Sequence, residues 1–478
     1  MNFGYKKMYV GGKLVDAISG NKHQVINPAT EEVVAEVASA GVADAELALV
    51  EAEKGFKYWS KLPLSERTEW MMKFRDEVLK NDDILRKAVM FEMGKSYEAA
   101  AEDVQLLADG LEFYPQAMRN MHDEIIPDME NTHRHKVVNQ PTGVAVAYLA
   151  WNFPLLNVGY KVGPALAAGC SIIIKPSELT PLSAYLVGEI LEKINFPAGV
   201  VNFISGPVNE VATTMTKSKI AKVLTMIGSS ASGKRVIADS ATTVKHVSLE
   251  LGGNAPFVVC EDADIDLAVN IGAALKYGNC GQICVSPNRF LIHESVYDQF
   301  LEKFTAKAKA VKVGFGIEEK PDMGPLVTSR DRERILKLVA DDVASGAELV
   351  TGGKVPAGMD KGNFIEPTII SGITKESRTF KEEIFGPVAA MMKFSSIDEV
   401  VELSNDTEYG LVSYVFSKDE GVIRRLSEEL DFGEVQVNGV KYAIYLPHGG
   451  IKESGIGHDC SYLALNDYLV KKRISTAL

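Results

Sequence analysis

The pattern of hydrophobic and polar positions divides the chain into a helical first part and two regions in which strands and helices alternate. Residues 42–121 are predicted to be helical; residues 42–59 are rich in Ala and Glu, and apolar residues such as Leu47, Val50 and Phe56 recur there at helical spacing. From Gly143 onward, short apolar runs alternate with helical stretches. The runs predict strands at 144–151, 171–175, 200–205, 223–227 and 244–249, with helices at 155–168, 182–194, 208–216 and 231–240. Such alternation is typical of a parallel, doubly wound sheet.

A second α/β series follows the glycine pair at Gly252 and Gly253. Its predicted elements are helices at 267–277, 296–312 and 397–403 and strands at 288–293, 388–394 and 412–416. Residues 122–141 are polar and predict two extended arms joined by a turn near 128–131. The pattern therefore indicates two α/β domains, with ligands bound beyond the carboxyl ends of the strands.

Composition narrows the class of protein. At about 150 residues per domain, a chain of 478 residues is expected to form roughly three domains. Lys and Arg number 51 against 64 Asp and Glu, so the net charge of −13 argues against nucleic acid and anionic membranes as partners. Five scattered cysteines do not make a disulfide framework. Without a signal peptide or an apolar run of about 18 residues, we expect a soluble, cytoplasmic protein.

One glycine-rich loop, Gly228 to Lys234, approaches the phosphate-binding pattern G-x-x-x-x-G-K. That pattern continues with Ser or Thr to hold magnesium, whereas here Arg235 follows. A phosphate group at the start of the helix remains compatible with the loop. A phosphotransferase is therefore kept only as an alternative, and nucleotide hydrolysis with magnesium would support it.

Other polar residues follow predicted strands, where a cleft is expected. Glu250 ends one strand and is suited to act as a general base, and Asn152 follows another with an amide that can donate to an oxyanion. Lys175 and Glu178 follow a third strand and are able to bond ribose hydroxyls. Cys284 stands in a Gly- and Gln-containing loop that favours an exposed thiol. Taken singly, each residue also fits an ordinary loop or core position.

Taken in series, these segments resemble the aldehyde dehydrogenase superfamily over nearly the whole chain. The matching motifs are Trp-Asn-Phe-Pro at 151–154, Lys-Pro-Ser-Glu at 175–178, Glu-Leu-Gly-Gly-Asn at 250–254, Gly-Gln-x-Cys at 281–284, Glu-Ile-Phe-Gly-Pro at 383–387 and Lys-x-Ser-Gly at 452–455. The resemblance implies an α/β fold with two doubly wound Rossmann-like domains and a small β oligomerisation element. We expect 1–118 with 142–252 to form the NAD-binding domain, 253–452 the catalytic domain, and 119–141 with 453–478 the bridging element.

The resemblance also implies a mechanism. Cys284 would add to the aldehyde carbon, giving a thiohemiacetal and, after hydride transfer, a thioester. The amide of Asn152 and the backbone N–H of Cys284 would hold the oxyanion, and Glu250 would activate the hydrolytic water. No metal is expected. The presence of Glu250 favours water over coenzyme A as acyl acceptor, and a paralogue without turnover remains an alternative.

A nicotinamide dinucleotide is the implied cofactor. Its expected contacts are Trp151, Lys175, Ser177, Glu178, Gly228, Ser229, Leu251, Glu383 and Phe385. The carboxylate of Glu178 would repel a 2′-phosphate, so we expect NAD to be preferred, with NADP possible. The resemblance further implies a homodimer or homotetramer.

The substrate is expected to be a small or hydroxylated aldehyde. Family members that oxidise succinate semialdehyde carry Arg nine residues after the Trp of Trp-Asn-Phe-Pro and six residues before the nucleophile, where this chain has Tyr160 and Gly278. The aldehyde tunnel is expected to be lined by Tyr160, Ile283, Val285, Tyr442 and His448. His448 stands where Phe is frequent. An anionic aldehyde, such as succinate semialdehyde, is the alternative if His448 or Lys441 supplies a positive charge.

Overall fold

Two large β-sheets organise the chain in a computed structural model that describes all 478 residues, Met1–Leu478. The strands, in chain order, are β1 (Tyr5–Lys6), β2 (Met8–Val10), β3 (Lys13–Val15), β4 (Lys22–Ile26), β5 (Val33–Ala38), β6 (Glu124–Ile126), β7 (His133–Pro141), β8 (Val144–Tyr148), β9 (Ser171–Lys175), β10 (Val201–Phe203), β11 (Ala221–Ile227), β12 (His246–Glu250), β13 (Ala255–Val259), β14 (Pro287–His293), β15 (Glu348–Thr351), β16 (Thr368–Ser371), β17 (Val388–Phe394), β18 (Tyr409–Gly410), β19 (Val412–Phe416), β20 (Glu434–Val437), β21 (Ile451–Lys452), β22 (Gly455–Ile456) and β23 (Leu469–Ala477).

Fourteen α-helices connect or cover these strands. They are α1 (Val42–Trp59), α2 (Leu64–Lys80), α3 (Asp82–Met93), α4 (Ala100–Arg119), α5 (Leu156–Ala168), α6 (Leu182–Lys193), α7 (Thr213–Lys217), α8 (Ser230–Ser240), α9 (Ile265–Tyr277), α10 (Tyr297–Ala310), α11 (Ser329–Ala344), α12 (Arg378–Lys381), α13 (Ile397–Asn405) and α14 (Glu420–Glu429). A π-helical turn covers Val208–Ala212, and 3₁₀ turns cover Gly278–Gly281 and Tyr462–Tyr468. No helix combines the length and the apolar composition that a membrane span needs.

The first large sheet has eight strands in the order β22-β12-β11-β8-β9-β10-β2-β3. Strands β12, β11, β8, β9 and β10 run parallel, and antiparallel strands lie at both edges. Because parallel strands end at one edge of a sheet, Glu250 pairs with Ile227 and Lys175 pairs with Tyr148 at that edge. The topology thus gathers the loops that carry the predicted site residues.

The second large sheet has seven strands in the order β15-β16-β17-β14-β13-β19-β20, all parallel except β15. Each large sheet has its own hydrophobic core, with 68 buried residues around the first and 45 around the second. Central strands such as β8, β9, β13 and β19 are buried along their whole length because helices cover both faces of the sheets, as expected for parallel sheets. The predicted α/β class is confirmed, and the domain boundaries stay predictions.

The segment predicted as two extended arms forms β6 and β7, which pair antiparallel. Strand β23 adds to β7 over its full length, with Leu469 opposite Pro141 and Ala477 opposite His133. Most side chains of these three strands are exposed or half-buried. The arms are therefore as predicted, and a role for this sheet in joining subunits stays a prediction.

Several element bounds differ from those predicted, for identifiable reasons. Helix α9 begins two residues early because Asp264 caps it, its carboxylate accepting from the N–H of Leu267 at 3.0 Å. Helix α8 begins at Ser230 because the Ser229 hydroxyl caps it in the same way. The helix predicted at 208–216 divides into the π-helical turn and α7.

Candidate active site

A crevice of about 900 Å³ opens beyond the carboxyl ends of the first sheet and is also lined by loops of the second. Every predicted cofactor residue lies on its wall: Trp151, Lys175, Ser177, Glu178, Gly228, Ser229, Leu251, Glu383 and Phe385. Asn152 and Cys284 line the same crevice. The structure therefore brings together residues that are more than two hundred positions apart in sequence.

Cys284 is presented by a tight loop after α9. Three successive residues, Asn279, Cys280 and Gly281, have φ of 49°, 57° and 67°, in the left-handed region. Glycine is required at 281, because a Cβ there would lie 2.2 Å from the carbonyl oxygen of Gly386. This turn reverses the chain, so that Cys284 reaches the crevice partly exposed whereas Cys280 is buried.

Glu250 lies close to Cys284 because the loop after β12 contains two glycines, Gly252 and Gly253, which have no side chains. A Cβ on Gly253 would lie 2.3 Å from the carbonyl oxygen of Cys284, so only glycine allows the two segments to touch. A Glu250 carboxylate oxygen, Cys284 Sγ and a ring nitrogen of His448 all lie within 4.8 Å of one another. The carboxylate predicted as a base is therefore next to the thiol predicted as a nucleophile.

Asn152 is held against the same loop. Its side-chain N–H₂ donates to the carbonyl oxygen of Gln282 at 3.1 Å, and the amide of Asn279 donates to the Asn152 carbonyl at 3.1 Å. Because an amide nitrogen carries two hydrogens, one remains for a further acceptor in the crevice that Cys284 also lines. The position suits the donation to an oxyanion predicted for this residue.

Burial raises the pKa of the Cys284 thiol above its usual value, and hydrogen bonding to His448 acts in the opposite direction. The charge of Glu250 adds to the increase. A thiol in this position needs a nearby group to take its proton before it can attack a carbonyl carbon.

The part of the crevice formed by Lys175, Glu178 and the start of α8 suits a dinucleotide. Lys175 is 5% exposed and forms no ion pair, and burial lowers its pKa while the charge of Glu178 opposes that decrease. Helix α8 begins at the crevice, where Ser229 caps it and the free N–H groups of the first turn suit a phosphate. A lysine, a carboxylate and a helix N-terminus therefore line the same crevice.

Glu383 lines the crevice next to the loop that follows Glu250. Its Oε1 accepts from the backbone N–H of Gly253 at 2.8 Å, and burial raises its pKa to about 7. The rings of Trp151 and Phe385 meet edge to face, with centroids 5.4 Å apart. Both sheets thus contribute to the wall next to the thiol.

Most of the predicted tunnel residues lie around His448. Its ring centroid is 6.5 Å from that of Tyr160 and 6.1 Å from that of Tyr442. The hydroxyl of Tyr414 bonds to Tyr442 Oη at 2.9 Å and to the carbonyl oxygen of Val285 at 2.7 Å. Ile283 packs against the second core, and Lys441 is exposed.

Sequence reasoning missed Glu434. Its Oε1 lies 2.6 Å from His448 Nδ1, and Glu250 Oε2 lies 3.0 Å from His448 Nε2. Both nitrogens of the imidazole therefore contact carboxylates. Glu434 begins β20 in a polar stretch, and no pattern distinguishes it from a surface glutamate.

Comparison with known proteins agrees with this geometry. The profile of the aldehyde dehydrogenase family matches residues 14–474. Mitochondrial succinate-semialdehyde dehydrogenase of Oryza sativa is 38% identical over 467 residues, which cover 97% of this chain and 88% of that protein. The structure of 3,6-anhydro-L-galactose dehydrogenase in complex with NAP superimposes with a TM-score of 0.96 at 36% identity, covering 99% of this chain and 100% of that one. Betaine aldehyde dehydrogenase of Staphylococcus aureus in complex with NAD⁺ has a TM-score of 0.96 at 32% identity, covering 98% of this chain and 95% of that one.

Proposed function

We propose that this chain, which belongs to the aldehyde dehydrogenase family and oxidises an aldehyde with a nicotinamide dinucleotide, acts on a small or hydroxylated aldehyde without negative charge and prefers NAD. The named relatives act on an anionic semialdehyde, a neutral sugar aldehyde and a cationic betaine aldehyde. Membership of the family therefore leaves the charge of the substrate open. The residues around the Cys284 thiol are the reason to propose a substrate without negative charge.

Cys284 is the nucleophile in this proposal. Its sulfur forms a bond to the aldehyde carbon, and the carbonyl electron pair moves to oxygen. The free N–H of Asn152 and the backbone N–H of Cys284 stabilise the resulting oxyanion; removing one such donor typically costs about 10²–10³ in kcat. When bound, the nicotinamide ring accepts the hydride that leaves the same carbon, and Cys284 is left as a thioester.

Glu250 completes the reaction by taking a proton from the water that hydrolyses the thioester. The carboxylate is 4% exposed, and its Oε1 has no hydrogen-bond partner within the chain. A buried acceptor without a partner is suited to hold a water molecule. The position next to Cys284 directs that water toward the acyl carbon.

NAD is preferred because Glu178 lines the crevice close to Lys175, where both are expected to bond the adenosine ribose. A carboxylate at that position accepts from ribose hydroxyls and repels a 2′-phosphate. Arg235 lines the same crevice but bonds to Asn209 at 2.7 Å. No metal takes part in the proposed chemistry.

The substrate proposal rests on one observation, which is that both ring nitrogens of His448 contact carboxylates. Because Glu434 and Glu250 use both ring nitrogens, His448 has no free donor for a substrate carboxylate. Two carboxylates flank the one imidazole, so the cluster remains negative beside the tunnel even when His448 is protonated, which opposes an anion. Tyr160 and Gly278 supply no compensating cation.

An aldehyde panel followed by NADH absorbance tests the proposal. We expect kcat/KM for glycolaldehyde or lactaldehyde to exceed that for succinate semialdehyde by at least about tenfold, which corresponds to about 1.4 kcal/mol. An aromatic aldehyde completes the panel. A preference for succinate semialdehyde would contradict the proposal.

A gain-of-function variant tests the missing cation directly. A Cβ at Gly278 would meet nothing within 4 Å and the backbone there has φ of −53°, so Gly278→Arg should fold. Since a hydrogen bond to a charged group contributes about 1.5–3 kcal/mol, we expect succinate semialdehyde oxidation to rise about tenfold or more. Gly278→Gln has similar length without charge and should show no such increase. Equal effects of the two variants would contradict the charge argument.

A further inference from the structure

An imidazole between two carboxylates is the least expected feature of the site. His448 Nδ1 lies 2.6 Å from Glu434 Oε1, and its Nε2 lies 3.0 Å from Glu250 Oε2. The side chains of His448, Glu250 and Glu434 are 12%, 5% and 11% exposed. Two nearly buried carboxylates need a compensating positive charge, and His448 is the side chain placed to supply it.

The same imidazole faces the nucleophile. A ring nitrogen of His448 and Cys284 Sγ lie within 4.8 Å of each other. Because Nδ1 is held by Glu434, Nε2 is the nitrogen directed at Cys284 and Glu250. A nucleophile, a base and an acid that orients the base thus lie in sequence, as in triads on unrelated folds.

We propose that Cys284, His448 and Glu434 form a catalytic triad whose resting form is a thiolate–imidazolium pair, in which the proton of the thiol is held by His448. The step rests on the proposed role of Cys284 as nucleophile. The S–H bond breaks before the aldehyde is attacked, the proton moves to Nε2 and gives the imidazolium that balances the two carboxylates, and the electron pair left on sulfur forms the bond to the aldehyde carbon. When the thioester is hydrolysed, the departing thiolate pairs again with this imidazolium, while Glu250 accepts the proton of the water.

The surroundings of His448 favour its protonated form. Burial alone would lower its pKa, but Glu250, Cys284 and Glu434 together raise that pKa well above the usual value. The rings of Tyr160 and Tyr442 have centroids within 6.5 Å of the His448 ring, and Cys460 and the ion pair of Asp459 with Lys161 are the other polar groups near it. The charge of Asp459 is balanced by Lys161, to which it is bonded.

Glu434 is the positioning residue of this triad. It begins β20, and His448 is fixed from the other side by paired backbone hydrogen bonds with Asp459 at 2.7 and 2.9 Å. Neither Glu434 nor Asp459 lines the cofactor crevice. Changing Glu434 should therefore alter the behaviour of the thiol without altering dinucleotide binding.

The pH dependence of thiol alkylation tests the triad without relying on turnover. The full-length protein is treated with iodoacetamide at a series of pH values, and modification of Cys284 is followed by mass spectrometry. We expect His448→Gln to raise the midpoint of the alkylation profile by about one pH unit or more and to slow alkylation near neutral pH about tenfold, since an imidazolium no longer stabilises the thiolate. Glu434→Gln should shift the midpoint in the same direction.

Matched variants separate a specific effect from a general one. His458→Gln and Glu428→Gln change exposed residues of the same types and should leave the midpoint unchanged. Thermal unfolding shows whether His448→Gln is folded. If it is not, the shift in the alkylation midpoint of Glu434→Gln tests the triad instead. An unchanged midpoint in a folded variant of either residue would overturn the triad. If Cys284→Ser also retained turnover, the proposed function itself would fail, which is a distinguishable result.

Discussion

The backbone N–H of Gly253 donates to Oε1 of Glu383 across 2.8 Å and so connects the loop that carries Glu250 to the segment before β17. The contact is possible because the preceding residue, Gly252, has no side chain. A Cβ at that position would lie only 2.8 Å from Glu383 Oε2. The two glycines after Glu250 therefore make room for a carboxylate of the second sheet. The charge of this carboxylate should influence how the cofactor binds.

Cofactor binding should depend on pH through Glu383. Burial raises the pKa of Glu383 to about 7, so this carboxyl ionises across the neutral range. The ionised form accepts hydrogen bonds from ribose hydroxyls more strongly than the protonated form. We expect the KM for NAD to fall by up to about tenfold as the pH rises from about 6 to 8, measured by steady-state kinetics at saturating aldehyde.

Two variants test whether Glu383 causes the pH dependence of the KM for NAD. Glu383→Gln should abolish the pH dependence, and Lys276→Met should move its midpoint upward because the buried Lys276 ammonium favours ionisation of Glu383. The folded-state pKa of Glu383 is raised, so its contribution to stability is present at low pH and is lost as the pH rises toward about 7. A KM that follows the same pH profile in Glu383→Gln would exclude this residue.

Glu250→Gln should separate acylation from hydrolysis. Without a base for the water, the thioester persists, so a burst of NADH of about one equivalent per active site should precede steady-state turnover reduced by about 10²-fold or more. Stopped-flow absorbance measures the burst, and mass spectrometry of the quenched protein measures the acyl group on Cys284. Steady turnover at the original rate would show that another group activates water.

Glu178→Gln should weaken the preference for NAD. Removing the negative charge removes repulsion of a 2′-phosphate, so we expect the ratio of kcat/KM with NADP to that with NAD to rise about tenfold, a change of about 1.4 kcal/mol. Glu130→Gln, on the exposed arm, should leave the ratio unchanged. An original protein that already prefers NADP would contradict the assignment.

Much of the fold could be predicted from the sequence because buried parallel strands leave a distinct apolar pattern. Strands β17 and β19 have the predicted bounds, and most others differ by a few residues. Some errors lie at helix starts, where the capping side chains of Asp264 and Ser229 were not taken into account, and the helix predicted at 208–216 divides in two. Local hydrogen bonds, rather than periodicity, determine those ends.

The candidate site was predictable where its residues follow strands or belong to recognisable motifs. Cys284, Glu250 and Asn152 are of this kind, and the structure brings them together. The contact of His448 with Glu434 was not predictable, because it depends on how β20 and the last strands pack. A glutamate at the start of a short, half-buried strand carries no sequence signal for such a contact.

In the proposed reaction Cys284 forms the covalent bond to the substrate. NADH formation by Cys284→Ala with glycolaldehyde and lactaldehyde, together with the binding of NAD to the same protein, measures this role directly. We expect turnover to fall below detection while NAD binds with unchanged affinity. Turnover close to that of the original protein, in a variant whose fold and NAD binding are intact, would contradict it.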